Sequence, residues 1–257
     1  MDERSRLLLQ IANCDVASAI TAGKVAGHAC QSVVKSQDRP SLHVPEPWVG
    51  RIDEAPILFI SSNPSYDKDE QFPIAHQPAW TSTRIIDFFE NRFTSSAGWV
   101  RDLKVLHVNG AYSKNHVRFW AAARSRSAQI LQKENTEILP GVDFAMTELV
   151  HCKSAKERGV SEALDFCMGR YFESVMRSAA SAKVIVIYGA ITRKAISGWL
   201  VHNGFPLPAE RIVGPLPLFG LARMLGFLPA PASWGGGKSF SAEEATALCE
   251  HLRKGIG

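Results

Sequence analysis

Apolar residues follow two different patterns along the chain. Runs rich in apolar residues occupy positions 56–61, 142–150, 183–188 and 223–228. In the remaining segments apolar residues recur every three or four positions, at 1–36, 83–93, 116–133, 161–180, 190–202 and 241–254. Short apolar runs bounded by turns predict buried parallel strands, and the wider spacing predicts helices. The alternation predicts an α/β protein, a three-layer α/β/α fold around a central four-stranded, mostly parallel sheet.

The same pattern contains no repeat, no low-complexity segment and no second domain. A chain of 257 residues, of which 46% are hydrophobic, is long enough to bury one full core. We therefore expect a single domain over residues 1–257, in which residues 1–45 form an N-terminal helical extension. Ser241 and Glu244 predict a capping box at the start of the last helix.

Amino-acid composition and net charge limit the partners and the cellular compartment that we expect for the protein. The formal net charge of +4 permits a polyanionic partner but does not require one. No apolar run reaches the roughly 18 residues of a membrane span, and the N-terminus carries too many charges of both signs to lead a secretory signal. Five cysteines, an odd number, favour a reducing compartment. We expect a cytoplasmic monomer with no membrane partner.

The first predicted strand ends on the sequence Ser-Ser-Asn-Pro-Ser at 61–65. In open α/β sheets ligands bind outside the carboxyl ends of the strands. Asn63 therefore lies where ligand-binding and catalytic residues are usually found, and Pro64 stiffens the turn that holds it. An Asn-Pro turn is also an ordinary way to end a strand, so the local pattern fits both a functional and a purely structural turn.

The four strand ends together resemble the motifs of a known family. They read Ser-Asn-Pro-Ser at 62–65, Thr-Glu-Leu-Val-His-Cys-Lys at 147–153, Val-Ile-Val-Ile-Tyr-Gly-Ala at 184–190 and Leu-Pro-Ala-Pro-Ala at 228–232. In order and spacing they resemble the uracil-DNA glycosylase superfamily. That family's first motif ends a strand in Gly-x-(Asn/Asp/Glu)-Pro, and its last ends a strand in His-Pro-(Ser/Ala/Asn). The two middle segments are similar to those of the iron–sulfur (family 4) members, and the resemblance spans about residues 50–240.

The resemblance implies a monofunctional DNA glycosylase, which flips a non-standard pyrimidine out of DNA and hydrolyses its N-glycosidic bond. Asn63 would orient the attacking water through its side-chain carbonyl. An aromatic side chain downstream would stack on the flipped base. Phe72 is the first choice and Trp80 the second, with core packing as the alternative for each. Further residues implied to border the base are Ser62, Pro64, Ser65 and Glu148.

Ala230 is the main departure from the family pattern, because it stands where the family usually has a histidine. That histidine donates to the base oxygen on which negative charge develops, and loss of such a donor typically costs about 3 kcal/mol. Three explanations stay open: another donor, a different chemistry, or an inactivating substitution. Replacement donors include Ser233, Lys238 and backbone N–H groups.

Glu148 and Ser65 change the expected substrate. Uracil-specific members present an asparagine at the position of Glu148, and the strictest have a tyrosine at the position of Ser65. A carboxylate only accepts hydrogen bonds and so suits the exocyclic amine of cytosine, whereas a protonated carboxyl could also donate to cytosine N3. Serine leaves room at C5. The substrate is expected to be uracil or a C5-modified cytosine, such as a hypermodified phage base; alternatively, Glu148 is a structural carboxylate paired with Lys153 or Arg158.

The segment after the last strand, residues 233–239, corresponds to the family's duplex-wedging loop. Trp234 would fill the gap left by the flipped base, and the glycines let backbone N–H groups approach phosphates. The predicted DNA contacts are Ser233, Trp234, Gly236, Lys238, Lys153 and Ser154. The end of this segment also resembles a P-loop, but Ala232 stands where that motif requires its first glycine.

Cys152 and Cys167 are similar in spacing to two cluster ligands of the iron–sulfur members. The N-terminal Cys-x-x-Cys of those members is absent, and Cys14 and Cys30 would have to supply the other thiolates of a [4Fe–4S] cluster. Free buried cysteines are the alternative. The expected hydrolysis requires no cofactor. Besides the glycosylase, two other functions stay open: a catalytically weakened DNA-binding relative, indicated by Ala230, and a nucleotide-binding α/β protein using the glycine-rich segment.

Overall fold

The computed structural model describes residues 1–37, 42–231 and 238–254. A mostly parallel five-stranded sheet lies at the centre and helices flank it, which confirms the predicted three-layer α/β/α class. The strands in chain order are β1 Ile57–Ser61, β2 Val100–Arg101, β3 Lys104–Val105, β4 Phe144–Glu148, β5 Val184–Tyr188, β6 Ile212–Leu218 and β7 Leu221–Leu228.

The helices of the described residues correspond to the segments with three-to-four spacing. The capping box that Ser241 and Glu244 predict is present at the last of them. A π-helical stretch, Met168–Phe172, joins the sixth and seventh helices. The helices are α1 Glu3–Ala12, α2 Asp15–Thr21, α3 Gln31–Lys35, α4 Ser82–Glu90, α5 Arg118–Leu131, α6 Val160–Cys167, α7 Glu173–Ser178, α8 Ala190–His202 and α9 Ala242–Arg253.

The sheet has one strand more than the sequence predicts. Its order is β4-β1-β5-β7-β6, and β6 pairs with β7 in the antiparallel direction. β6 contains Pro215 and Pro217, and its register shifts between Val213 and Leu216. Prolines are tolerated here because an edge strand leaves one row of its N–H groups unpaired.

Strand order fixes where the site lies. The chain runs from β1 outward to β4 and then returns to β5 on the other side of β1. The crevice between the carboxyl ends of β1 and β5 is therefore the topological switch point of the sheet, the usual binding position in open α/β folds.

The N-terminal helices are packed into the same structure. Leu8 and Ile11 of α1 lie fully buried in the main core, and α1 packs against α4 and α7. Helices α2 and α3 form a second buried cluster with α6. No helix in the described ranges is both long enough and apolar enough to span a membrane.

Candidate functional site

A cavity of about 560 Å³ opens at the carboxyl ends of β1, β4, β5 and β7. Its wall includes Asn63, Glu148, Gly189 and Ala230, one residue from the end of each parallel strand. The four motifs that the sequence analysis assigned to one site thus border a single cavity. The starts of α5 and α8 complete the wall.

Asn63 is held by its side-chain amide. Its Nδ2 donates to the carbonyl oxygen of Pro64 and to Oγ of Ser154, each at 2.9 Å. These two bonds fix the plane of the amide. Among the described residues no donor binds Oδ1, so the acceptor end of the amide is left for a ligand or a water molecule.

The loop after β1 is locked to the loop after β4. Leu149 N–H donates to Ser61 O at 3.0 Å, and Val150 N–H donates to Ser62 O at 2.9 Å. Further along, Tyr66 N–H donates to the carbonyl oxygen of Ser154 at 3.2 Å. The parallel pairing therefore continues past the strand ends, and it gives the Asn63 turn a rigid support.

Glu148 lies beside this turn because its Cα pairs in register with that of Ser61. The side chain is 7% exposed, lines the cavity and has no hydrogen-bond partner for Oε2 in the described part of the chain. The pairing with Lys153 or Arg158 that the sequence left open does not form: Lys153 binds other carboxylates, and Arg158 is exposed.

Four buried charged side chains that also line the cavity form a cluster near Glu148, which we call the ion-pair cluster: Glu46, Glu70, Arg92 and Lys153. Lys153 Nζ lies 3.0 Å from Glu70 Oε2 and 3.5 Å from Glu46 Oε2. Arg92 Nη1 lies 3.2 Å from Glu46 Oε2, and its other terminal nitrogen pairs with Glu70. Two cations thus balance two carboxylates.

Glu148 is a third carboxyl group beside this balanced set. Burial and the nearby Glu46 raise the pKa of Glu148 well above its ordinary value, against the opposing effect of Lys153 and Arg92. For Glu70 the two cations outweigh burial and lower the pKa. Its surroundings therefore favour the protonated form of Glu148, and in that form the carboxyl group at the cavity wall is both a donor and an acceptor.

Lys153 and Ser154 do not lie where the predicted DNA contacts require. Lys153 is 3% exposed, its ammonium group is held in the ion-pair cluster, and it also donates to Ser65 O at 3.2 Å. Ser154 is buried and its hydroxyl accepts from Asn63. The sequence shows a basic and a hydroxyl residue shortly after a strand. It does not show that Lys153 pairs with carboxylates distant in the chain, or that Ser154 is buried.

Phe72 also lies elsewhere than predicted. It is 2% exposed and is absent from the described wall of the cavity. Its ring stacks on His43, and Lys153 Nζ lies 4.1 Å from the ring centre. Trp80 packs edge-on against Phe88 and does not reach the described cavity wall either. Core packing, the alternative left open for both aromatics, describes their surroundings.

Other aromatic side chains border the cavity instead. Phe119, in the first turn of α5, is half-buried and lines the cavity. Its ring meets that of Tyr188 edge-to-face at 5.3 Å between centres, and Tyr188 stacks on Phe59 at 5.7 Å. Sequence reasoning missed Phe119 because it lies 56 positions after Asn63 in the chain, beyond any local motif.

The remaining predicted site residues fall into three groups. Ser62, Pro64 and Ser65 all line the cavity, and Ser62 Oγ donates to Glu157 Oε1 at 2.5 Å. Lys238 Nζ donates to the carbonyl oxygen of Pro231 at 3.3 Å. Ser233, Trp234 and Gly236 lie outside the described residues.

Cys14, Cys30, Cys152 and Cys167 are buried as free thiols in the second core cluster. A hydrogen bond with Cys30, together with burial, raises the pKa of the Cys167 thiol, and burial raises that of Cys152. No group of three or more His, Cys, Asp or Glu side chains in residues 1–37, 42–231 and 238–254 is arranged to hold a metal ion. The arrangement of these thiols gives no support to an iron–sulfur cluster.

Comparison with known proteins finds no protein-family model that matches the chain and no curated protein with significant sequence similarity.

Proposed function

We propose that the protein is a DNA glycosylase that removes a non-standard pyrimidine by hydrolysis of its N-glycosidic bond. The observation that carries the proposal is the meeting of Asn63 and Glu148 in one cavity at the switch point of the sheet. Asn63 offers a fixed carbonyl acceptor, and Glu148 offers a buried, unpaired carboxyl group. Their strand-end positions are those that the resemblance to the uracil-DNA glycosylase superfamily assigns to the water-positioning and base-reading residues.

The reaction needs a water molecule placed at C1′ of the sugar and a stabilised leaving base. Asn63 Oδ1 accepts a hydrogen bond from the water and fixes its direction of attack. The C1′–N1 bond breaks with its electron pair going to the base, and the water oxygen bonds to C1′ and releases one of its protons to solvent. The protonated Glu148 gives its proton to N3 of a cytosine-type base and takes one back from solvent after release.

Two features favour a C5-modified cytosine over uracil. A protonated carboxyl donates to N3 and accepts from the exocyclic amine, which are the two groups that cytosine presents. Ser65 is exposed at the cavity wall and leaves the C5 side open. The cavity of about 560 Å³ lies within the range of roughly 300–1,000 Å³ that takes ligands larger than one pyrimidine ring.

Phe119 is the proposed stacking partner of the flipped base, since it is the half-buried aromatic at the cavity. The partner is DNA that contains the modified or damaged base. Arg118, exposed at the rim beside Phe119, is positioned to meet the phosphate backbone.

The test is a base-release assay on oligonucleotides that carry uracil, 5-hydroxymethyluracil, 5-hydroxymethylcytosine or its glucosylated form, in single and double strands. We expect abasic sites with the modified cytosines. Release of uracil alone would refute the cytosine assignment but keep the glycosylase. Release of no base from any substrate would refute the glycosylase.

Ala230 favours a second candidate, a relative that binds damaged or abasic DNA without turnover. It lines the cavity where the family usually presents its catalytic histidine. A comparison of wild-type protein with Ala230→His, for base release and for binding to DNA with an abasic site, distinguishes the two candidate functions. Tight binding without release in either protein would favour the second candidate.

Only the sequence resemblance suggests an iron–sulfur cluster, and the arrangement of the thiols does not support it. The proposed hydrolysis uses only water and side chains. Iron content and visible absorbance of protein purified without oxygen decide the matter: about four iron atoms per chain would establish the cluster, and a colourless, folded preparation would exclude it.

A further inference from the structure

The position of the missing histidine is adjacent to the start of helix α8. Ala230 lines the cavity, and a Cβ atom placed on Gly189 would lie 3.6 Å from Cβ of Ala230. Gly189 is the residue that precedes α8, and its N–H donates to Leu228 O at 2.9 Å. The first turn of a 13-residue helix therefore occupies the side of the cavity from which the family's histidine would act.

This helix start is left without a cap. Gly189 has no side chain with which to cap α8. Side-chain caps occur at α1, α4 and α9, and the other described α-helices lack them as α8 does. Within the described ranges no acceptor binds the backbone N–H groups of Ala190, Ile191 and Thr192. Such groups, together with the helix dipole, attract negative charge.

Two hydroxyl groups at the same cavity lack partners as well. Thr192 is fully buried and lines the cavity, and in the described structure its Oγ1 has no hydrogen-bond partner. A helical threonine can bond to a carbonyl oxygen of the preceding turn, and this one does not. Tyr188, 2% exposed, presents a hydroxyl with no described partner to the same cavity. Burying unsatisfied hydroxyls is unfavourable unless a ligand meets them.

We infer that the first turn of α8 and the Thr192 hydroxyl, with Tyr188 as a second hydroxyl donor, stabilise the leaving pyrimidine and replace the absent histidine. The inference rests on the proposed function. As the C1′–N1 bond breaks, its electron pair spreads from N1 onto the O2 carbonyl oxygen of the base. The hydroxyls donate hydrogen bonds to that oxygen and keep their protons, so no further co-reactant is needed.

A DNA phosphate would be the other anion for such donors. The burial of Thr192 and Tyr188 argues against it, because a backbone phosphate stays close to the protein surface while the flipped base enters the cavity. We therefore assign these donors to the base, and the experiment below distinguishes a base from a phosphate.

The experiment compares Thr192→Val, Thr192→Ser and Tyr188→Phe with wild type, and Thr147→Val serves as the matched control. Thr147 is buried, as Thr192 is, but its hydroxyl donates to Pro47 O at 2.7 Å and it is not part of the described cavity wall. Base release is measured on a series of pyrimidines of increasing leaving-group ability, together with DNA affinity at several salt concentrations and Tm.

We expect Thr192→Val to lower kcat on the order of 100-fold and to leave DNA affinity and its salt dependence unchanged. The loss should be largest for the poorest leaving groups, and Thr192→Ser should restore activity. Tm of Thr192→Val and Tyr188→Phe should stay level or rise, because an unsatisfied buried hydroxyl is removed. Thr147→Val should lower Tm and keep kcat.

Two results would overturn the inference while the proposed function stands. The first is wild-type kcat in both Thr192→Val and Tyr188→Phe. The second is a loss that is equal for all leaving groups and comes with weaker, less salt-dependent DNA binding, which assigns the donors to a phosphate. If the wild-type protein releases no base, the proposed function itself fails.

Discussion

The side-chain amide nitrogen of Asn63 donates a hydrogen bond to the hydroxyl of Ser154, 2.9 Å away. The bond joins the turns that follow β1 and β4, and it points the amide oxygen of Asn63 away from Ser154. Ser154 was expected to contact DNA; its position instead makes it a positioning residue for the proposed water-orienting group.

Ser154→Ala should therefore impair turnover rather than binding. Loss of the bond frees the Asn63 amide to rotate, so we expect kcat to fall roughly 10-fold with little change in KM. Steady-state base release gives both constants, and the exposed Ser161 provides the control Ser161→Ala. A rise in KM at constant kcat would instead return Ser154 to the role of a DNA contact.

Glu148→Gln tests the protonated carboxyl group through the pH dependence of activity. If Glu148 acts as a proton donor, wild-type activity on a cytosine-type base falls as the pH rises through its raised pKa. The amide of glutamine cannot transfer a proton, so the variant should be slower and should lose that decline. Parallel pH profiles for the two proteins would contradict the assignment.

The same group makes a prediction for stability. Because the pKa of Glu148 is higher in the folded chain than the ordinary value of about 4.3, the folded chain binds more protons between these two values. This contribution to stability is complete below about pH 4.3 and is lost as the pH rises through the folded-state pKa. Urea unfolding across that range should therefore show a steeper loss of stability in wild type than in Glu148→Gln.

Lys153→Met should destabilise the fold strongly. It would leave Glu46 and Glu70 buried with Arg92 as their remaining partner, and removing one member of a buried ion pair costs about 3–5 kcal/mol. Denaturant unfolding at pH 7 measures the change. The exposed Lys194 gives the control Lys194→Met, which should stay within about 0.5 kcal/mol of wild type. If Lys153→Met lost as little stability as the control, the buried ion pairs would contribute little to the free energy of unfolding.

Substitutions at Phe119 and Phe72 should have different effects, because Phe119 is proposed to stack on the base whereas Phe72 packs in the core. Phe119→Ala removes an aromatic partner worth about 1–3 kcal/mol per stacked base, so KM for a single-stranded substrate should rise about 10- to 100-fold. Phe119→Tyr should keep wild-type KM. Phe72→Ala should instead lower stability by about 3–5 kcal/mol, because its ring is buried. The assignment fails if Phe119→Ala keeps wild-type KM.

The sequence predicted the parallel strands and most helices because their apolar periodicity is local. It missed β6, since Pro215 and Pro217 mask an edge strand, and it missed the hairpin of β2 and β3, whose two-residue strands carry no period. The place of Asn63 and Glu148 at the cavity followed from a general rule about strand ends.

The surroundings of the site could not be predicted in this way. Glu46, Glu70, Arg92 and Lys153 are spread over more than a hundred positions, and no local spacing predicts that their charges pair. Phe119 reaches the cavity from a distant helix for the same reason. These contacts depend on tertiary packing, which sequence periodicity does not encode.

The most direct test of the proposed function is base release from DNA that carries 5-hydroxymethylcytosine or its glucosylated form, by wild-type protein and by Asn63→Ala. We expect abasic sites with wild type, and a loss of kcat of at least about 100-fold with unchanged DNA affinity in Asn63→Ala. Equal release by both proteins, or release of no modified or unmodified pyrimidine by wild type, would contradict it.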